Sequence, residues 1–430
     1  MVIKMDKLSI IDVKAYETYS DSGFPAVEVH VATQGDALGI ARCSESYSTS
    51  SHRPKYLYDG GTRFRGFGVT KAADLINRVF APALIGMRAD DQASVDAVIF
   101  RTALENGAEQ YVNVTNPLSI AVLQAGAQAT GQPLYRHVGG QTAFTLPVCG
   151  HLCASGSKRY TEDNQAQGRP NYMIVAYDFP TLSEAQYALW EVANQYEKII
   201  AHQFGFVIHR GFAMAIPKGK IENDYVLWDA LTQSINMCGY EGKLGIHVDI
   251  GANEYYNHKT GMYEGLFSSE PKTRDELIAL IEKMASDYPF VIIQDPLEEN
   301  DTEGFARLVK TTGVQIVGSD ICGTDFTRIE ECIRRKWINS VQLSVNQFPT
   351  FSDAVKVVRM VKNHGADIMI RDLCGEGYDG ASYAIGFKAG TIYECGLDSN
   401  GNMLMMNAEE IGPRAKFYGK SGIQGEKFSL

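Results

Sequence analysis

A short, mostly apolar run that ends in polar residues and is followed by an amphipathic stretch recurs between residues 244 and 372. Runs rich in Val and Ile, without polar alternation, are typical of strands buried on both faces. The stretches Thr273–Asp287 and Ser352–Asn363 have helical periodicity, and Ser352 is a candidate N-cap. This repeat predicts parallel strands joined by right-handed crossovers, and hence a (β/α) barrel of the α/β class. The apolar runs with their tips are Leu244–Asp249, Phe290–Asp295, Val314–Asp320, Ser340–Asn346 and Ala366–Asp372.

The polar tips are the first candidates for a functional site, because catalytic residues of such barrels lie at the carboxyl ends of the strands. The sequence before the barrel reads as a mixed α+β region, with a strand at Val27–Ala32 and helices at Ala72–Ile85, Asp91–Asn106 and Ser119–Gly131. We therefore predict two domains, 1–140 and 141–430. The polar tail Phe417–Leu430 is expected to lie on the surface as a strap.

Composition excludes some classes of function. The chain has 40 basic and 51 acidic residues and a net charge of −11, which argues against general binding to nucleic acid or anionic membranes. No apolar run approaches the roughly 20 residues that a bilayer-spanning helix needs, and the N-terminus lacks the apolar core of a signal peptide. The eight cysteines form no CxxC pair, so free thiols in a reducing cytoplasm are expected.

Six collinear segments carry recognisable motifs. They are Ser22–Val29, Phe80–Gly86 and Pro133–His137 in the N-terminal part, and Asp295–Asp301, Val345–Gln347 and Gly375–Glu376 in the barrel. Together these segments resemble enolase, over nearly the whole chain. The resemblance implies an α+β capping domain on a modified (β/α)8 barrel, with the site at the barrel's carboxyl end under loops from the cap. It also implies a homodimer or a higher homo-oligomer.

The catalytic apparatus that this resemblance implies is largely replaced. The family uses three carboxylates to hold magnesium, and Asp249 retains the first of them, whereas the other two positions hold Gln294 and Ser319. The base lysine corresponds to Ser344 and the lysine opposite it to Tyr393.

The remaining positions differ as well. The acid glutamate corresponds to His209, a second site glutamate to Asn171, and two site histidines to Arg159 and Asp372. The phosphate-gripping Arg-Ser pair corresponds to Leu373-Cys374, and the serine-containing lid to a segment that includes Ser48. The candidate catalytic residues are His209, Asp372, Ser344 and Tyr393; the candidate substrate-binding residues are Arg159, Asn171, Gln294, Ser319, Cys374 and Ser48; the candidate metal ligand is Asp249.

Each replacement also has a structural interpretation. Asp295 and Asp320, one residue beyond the expected ligands, either cap loops and pair structurally or complete a displaced metal site. Arg371 precedes Asp372 on a predicted strand, so it is expected to face the helical layer. His209 is either a hydrogen-bonded structural residue or a catalyst, and Asp249 either a ligand or a hydrogen-bond anchor.

Two functions remain open from the sequence. The first is a divergent enolase-superfamily enzyme, a lyase or an isomerase. Its substrate would be a small carboxylate, which can be a phosphorylated acid or a phosphonate but not 2-phosphoglycerate. The second is an inactive binding or assembly subunit. With one carboxylate left of three, Mg²⁺ binding is expected to be weak and assisted by the substrate.

Overall fold

The computed structural model describes residues 6–45, 48–156, 158–161, 168–205, 209–210, 213–216, 218–371 and 379–428, with the main chain alone at 209, 210 and 213. No helix in these ranges combines the length and apolar character needed to cross a membrane.

The N-terminal part is a three-stranded antiparallel sheet packed on helices. Its strands are β1 (Ile10–Tyr19), β2 (Pro25–Thr33) and β3 (Leu38–Ser44), in that spatial order. Along β2 the buried side chains alternate with half-buried ones, which is the pattern of a strand with one face on a core. The helices here are α1 (Thr70–Leu75), α2 (Ala81–Leu84), α3 (Gln92–Glu105), α4 (Val112–Ala129) and α5 (Leu134–Gly139).

The second part is a closed eight-stranded barrel. The remaining strands of the chain are β4 (Thr145–Leu146), β5 (Val148–Ser155), β6 (Asn171–Ala176), β7 (His209–Arg210), β8 (Ala213–Ala215), β9 (Leu244–Asp249), β10 (Tyr256–Asn257), β11 (Met262–Tyr263), β12 (Phe290–Gln294), β13 (Gln315–Gly318), β14 (Ser340–Leu343), β15 (Asp367–Ile370), β16 (Thr391–Ile392) and β17 (Lys416–Phe417). The barrel order is β5-β6-β9-β12-β13-β14-β15-β16, and β16 closes the ring on β5.

Strand β6 distinguishes this barrel from a regular one, because it runs antiparallel to both neighbours while the other barrel strands pair in parallel. The predicted fold class, a capping domain on a modified barrel, is confirmed. The outer helices are α6 (Leu182–Phe204), α7 (Tyr225–Met237), α8 (Arg274–Asp287), α9 (Thr302–Thr312), α10 (Phe326–Arg334), α11 (Phe351–Asn363), α12 (Asp379–Gly386) and α13 (Ser399–Ile411).

Local sequence signals fix where these helices begin. Helix α8 starts with a capping box, in which Thr273 and Glu276 each bond the other's main chain. Helix α11 is capped by Thr350, whose hydroxyl accepts from the N–H of Asp353 at 3.2 Å. Ser352 is therefore not the cap, because its own N–H donates to Asp96 within the first turn.

The C-terminal tail does more than cross the surface. Ile423 and Phe428 are buried among inward-facing barrel residues such as Met173 and Val317. The predicted surface strap thus inserts two apolar side chains into the core, which we attribute to the hydrophobic gain of burying them.

Candidate active site at the mouth of the barrel

The mouth of the barrel is built on adjacent strand ends. In the register of the sheet Asp249 lies opposite Asn171 on one side and Gln294 on the other. Asp249 and Gln294 are fully buried and Asn171 is nearly so. The structure therefore brings together these predicted positions at the carboxyl end of β9 and β12.

Asp249 is held by hydrogen bonds from one side. Its Oδ2 accepts from the hydroxyl of Tyr393 at 3.0 Å and from Nη1 of Arg371 at 3.2 Å. Asn171 Nδ2 donates to the Tyr393 hydroxyl at 3.2 Å. Burial raises the pKa of Tyr393 well above its usual range, so its hydroxyl stays protonated and acts as a donor to Asp249.

Arg371 enters the site, contrary to the expectation that it faces the helical layer. Its guanidinium carbon lies 3.8 Å from the centre of the Tyr393 ring, and Nη1 donates to Gln342 Oε1 at 3.2 Å. Strand β15 ends at Ile370, so the pleat no longer fixes the direction of the next side chain.

Two buried glutamines and a half-buried serine form a row of hydrogen-bonded polar side chains beside Arg371. Gln294 Nε2 donates to Gln342 Oε1 at 2.7 Å, and Gln342 Nε2 donates to Ser319 Oγ at 3.0 Å. Gln342 was not among the predicted site residues because it lies inside a strand and two positions before the polar tip. Its orientation is fixed by these contacts.

The segment around Ser48 closes over the barrel. Ser48 Oγ and Thr49 Oγ1 donate to the two oxygens of Asp320 at 3.0 and 2.8 Å. Ser50 Oγ donates to Glu299 Oε2 at 2.9 Å. Ser344 lies in a smaller neighbouring cleft that Ser48 also lines, and its buried hydroxyl has no hydrogen-bond partner within the described ranges.

Asp295 and Asp320 meet at Arg169, which sequence reasoning did not select. Arg169 Nη2 donates to Asp320 at 2.8 Å and Nη1 to Asp295 at 3.4 Å. Burial and the neighbouring Asp320 raise the pKa of Asp295. Burial alone would also raise the pKa of Asp320, but Arg169 and Thr49 hold it below its usual value. The contacts agree with the structural-pairing interpretation of these two carboxylates.

Arg159 is placed outside the mouth. It is 3% exposed, and its Nη1 donates to Asp224 Oδ1 at 2.7 Å while Nη2 donates to the Gly156 carbonyl at 2.7 Å. This buried pairing gives no support to the predicted substrate-binding role. Asp372 and Cys374 lie outside the described residues, and so does the side chain of His209, whose main chain belongs to β7.

A cavity of about 1050 Å³ opens at the mouth. Among the predicted residues Ser48, Asn171 and Ser319 line it, whereas Asp249, Gln294, Tyr393 and Arg159 do not. Asp320 and Arg371 of its charged lining were considered from the sequence, whereas Arg169, Glu254 and His258 were missed because they come from loops without periodicity. That lining includes Lys158, Arg169, Glu254, His258, Glu298, Glu299, Asp320 and Arg371.

A buried histidine beneath the site predicts a pH dependence of stability. His247 is 2% exposed, its ring meets Tyr393 edge-on, and burial lowers its pKa to about 3. The unfolded chain binds a proton near pH 6.5, so the stability that the neutral ring contributes is present above that pH and is lost as the pH falls towards 3. Between about pH 7 and pH 5 this linkage is worth on the order of 1–2 kcal/mol.

We expect His247→Gln to lose less apparent Tm between pH 7 and pH 5 than the wild type, measured by differential scanning fluorimetry. The exposed His202→Gln serves as the control and should follow the wild type. Equal losses in His247→Gln and the wild type would contradict the prediction.

The structure is a capped barrel: its eight strands include an antiparallel second strand, and a loop of the N-terminal α+β part covers the barrel mouth. Residues 10–138 match the family model "Enolase, N-terminal domain", and residues 144–425 match "Enolase, C-terminal TIM barrel domain". The chain belongs to the enolase family.

Curated relatives support the same assignment over nearly full length. The chain is 31% identical to an enolase of Methanococcus aeolicus, over 97% of this chain and 98% of that protein. It is 30% identical to an enolase of Methanocaldococcus jannaschii, with the same coverage. An enolase of Methanopyrus kandleri is 31% identical over 95% of this chain and 99% of its own length.

Proposed function

We propose that this chain is a divergent member of the enolase superfamily that binds a small carboxylate in the barrel-mouth cavity and acts on it as a lyase or isomerase. Phosphorylated acids and phosphonates are included in this substrate class, and 2-phosphoglycerate is not the substrate. The observation that carries the proposal is the cavity of about 1050 Å³, which lies at the strand ends and has Arg371 and Lys158 in its wall. Ligand pockets typically occupy roughly 300–1000 Å³.

Arg371 is the group that we assign to the ligand's carboxylate. Its guanidinium is fixed by Asp249, Gln342 and the Tyr393 ring. A planar guanidinium that is already oriented loses little freedom on binding and matches the geometry of a carboxylate.

Three acidic residues of the cavity wall do not oppose this assignment strongly, because protein partners engage them. Glu299 accepts from Ser50 and from the N–H of Ser51, and Glu298 accepts from Asn300. Glu254 accepts from Arg169 at 2.9 Å. Their charges are therefore partly balanced by hydrogen bonds before a ligand arrives.

Proton transfer would fall to groups that line the cavity. Lys158 and His258 are such groups, and amines and imidazoles are common general bases. We propose them as candidates beside His209 and Asp372, while Asp249, Gln294 and Tyr393 position Arg371 or neighbouring side chains.

The alternative is a binding or assembly subunit without turnover. One observation favours it: Asp249 and Tyr393, which correspond to a metal ligand and a site lysine, both lie behind the cavity wall. In either case the family resemblance supports a cytoplasmic location and a homodimer or higher homo-oligomer. Sedimentation analysis would test the oligomeric state.

A thermal-shift screen tests the proposal. We expect at least one small carboxylate, phosphocarboxylate or phosphonate to stabilise the wild type saturably, while its neutral amide analogue does not. Arg371→Met should weaken that binding by about 10- to 100-fold, since a charge-assisted hydrogen bond contributes about 1.5–3 kcal/mol. The exposed Arg307→Met is the matched control and should bind as the wild type does.

The outcome separates the candidates. Exchange of a ligand proton with deuterated water, or product formation detected by NMR, supports an enzyme, and saturable binding without either supports the subunit. If no acid in the panel binds, or if Arg371→Met binds unchanged, the carboxylate assignment is wrong.

A further inference from the structure

Arg169 lies just before β6 and reaches over the ends of β9, β12 and β13. It is 7% exposed. Its path crosses Gly251, where a Cβ would lie 2.2 Å from the Arg169 Nε atom, so only glycine leaves room for the side chain. The guanidinium is thus seated in a fitted space at the mouth.

Each nitrogen of this guanidinium faces a carboxylate. Nε donates to Glu254 at 2.9 Å, Nη2 donates to Asp320 at 2.8 Å, and Nη1 lies 3.4 Å from Asp295. Nη1 is also 3.7 Å from Asp249 Oδ1, the carboxylate that corresponds to the family's first magnesium ligand. One cation therefore serves four carboxylates, and Nη2 makes a further bond to Thr49 of the covering segment at 3.1 Å.

The side chains present do not fit the magnesium ion that the family implies. Within the described ranges no three His, Cys, Asp or Glu side chains are placed to hold a metal. Gln294 turns its amide nitrogen to Gln342, and Ser319 Oγ accepts from Gln342 as well. Asp295 Oδ1 accepts hydrogen bonds from two main-chain N–H groups. Asp320 accepts hydrogen bonds from two hydroxyls as well as from Arg169.

From this geometry we infer that Arg169 is a built-in cation that takes the place of a divalent metal ion in this chain. A guanidinium supplies one positive charge through three nitrogens at hydrogen-bond distance. Mg²⁺, by contrast, requires about six oxygens at about 2.0–2.1 Å. Arg169 offsets part of the negative charge of these carboxylates, and through Thr49 it ties the covering segment to the barrel.

Titration with MgCl₂ alone tests the inference without any ligand, so its result is independent of the proposed function. By isothermal calorimetry the wild type should show no saturable Mg²⁺ binding below millimolar concentration. Arg169→Ala removes the cation and leaves four facing carboxylates. It should therefore bind Mg²⁺ or Ca²⁺ at least about tenfold more tightly than the wild type, because ligand charge count sets such affinities.

Two further variants control for folding. Arg169→Lys keeps a positive charge and should, like the wild type, show no saturable Mg²⁺ binding. Arg307→Ala removes an exposed arginine and should leave the affinity for Mg²⁺ unchanged. Stabilisation of Arg169→Ala should appear as a higher apparent Tm in MgCl₂ than in NaCl of equal ionic strength.

Either of two results would overturn the inference. One is saturable micromolar binding of Mg²⁺ by the wild type, which can be measured even if Arg169→Ala does not fold. The other is a folded Arg169→Ala whose affinity for divalent cations equals that of the wild type.

Discussion

Replacing Asp224 with alanine is expected to lower the free energy of unfolding by about 3–5 kcal/mol, because it leaves the buried guanidinium of Arg159 without its counter-charge. Asp224 is 1% exposed. Its Oδ1 accepts from Arg159 at 2.7 Å, and its Oδ2 accepts from the Tyr172 hydroxyl at 2.6 Å. Burial opposes the charge on Arg159, but Asp224 raises its pKa above the usual value, so the arginine stays charged.

The measurement is the apparent Tm at one scan rate, since chains of this size commonly unfold irreversibly. We expect a drop of at least about 5 °C, given roughly 2–4 °C per kcal/mol for large domains. Glu282→Ala is the matched control: it removes a carboxylate from the exposed pair with Arg307, and such pairs contribute about 0–1 kcal/mol. Asp224→Ala combined with Arg159→Met should recover part of the loss, because no unpaired charge is then buried. An Asp224→Ala protein with the Tm of the wild type would show that the Asp224–Arg159 pair does not contribute to the stability of the fold.

The barrel was predictable because its signals are local. Strand β9 covers the predicted run Leu244–Asp249 in full, and the capping box fixes the start of α8 within one residue of the predicted helix. The strand tips Asp249, Gln294 and Ser319 followed from collinear matches to the family. Their positions needed no knowledge of side-chain direction.

The contacts of the site were less predictable because they join distant residues. Arg169 and Asp320 are 151 residues apart, and Arg169 follows a stretch without periodicity. The orientation of Arg371 was predicted wrongly because strand alternation was extended past Ile370, where the ladder ends. A signal for Arg169 did exist, in the three aspartates Asp249, Asp295 and Asp320 at neighbouring strand ends, since buried carboxylates require a cation.

Purified protein supplied with 2-phosphoglycerate and Mg²⁺ is expected to form no phosphoenolpyruvate above background. The position of the family's base holds Ser344, whose hydroxyl has no hydrogen-bond partner within the described residues that could activate it. The second lysine position holds Tyr393, which is buried and donates a hydrogen bond to Asp249. Gln294 and Ser319 stand at two of the three positions where the family has metal-binding carboxylates. Loss of one positioned acid or base alone typically costs about 10²–10⁴-fold in rate, and losses on one transition state need not add.

The assay couples phosphoenolpyruvate to pyruvate kinase and lactate dehydrogenase, with the Methanococcus aeolicus enolase as positive control. Ser344→Lys alone should not restore turnover, because two of the three metal carboxylates are still missing and Arg169 still lies beside the third, Asp249. The combined variant Arg169→Ala, Ser344→Lys, Gln294→Glu and Ser319→Asp rebuilds the base and the three ligands, and any turnover that returns should depend on Mg²⁺. Robust turnover by the wild type would mean that another group supplies the base. It would contradict the proposal that this site no longer catalyses the enolase reaction.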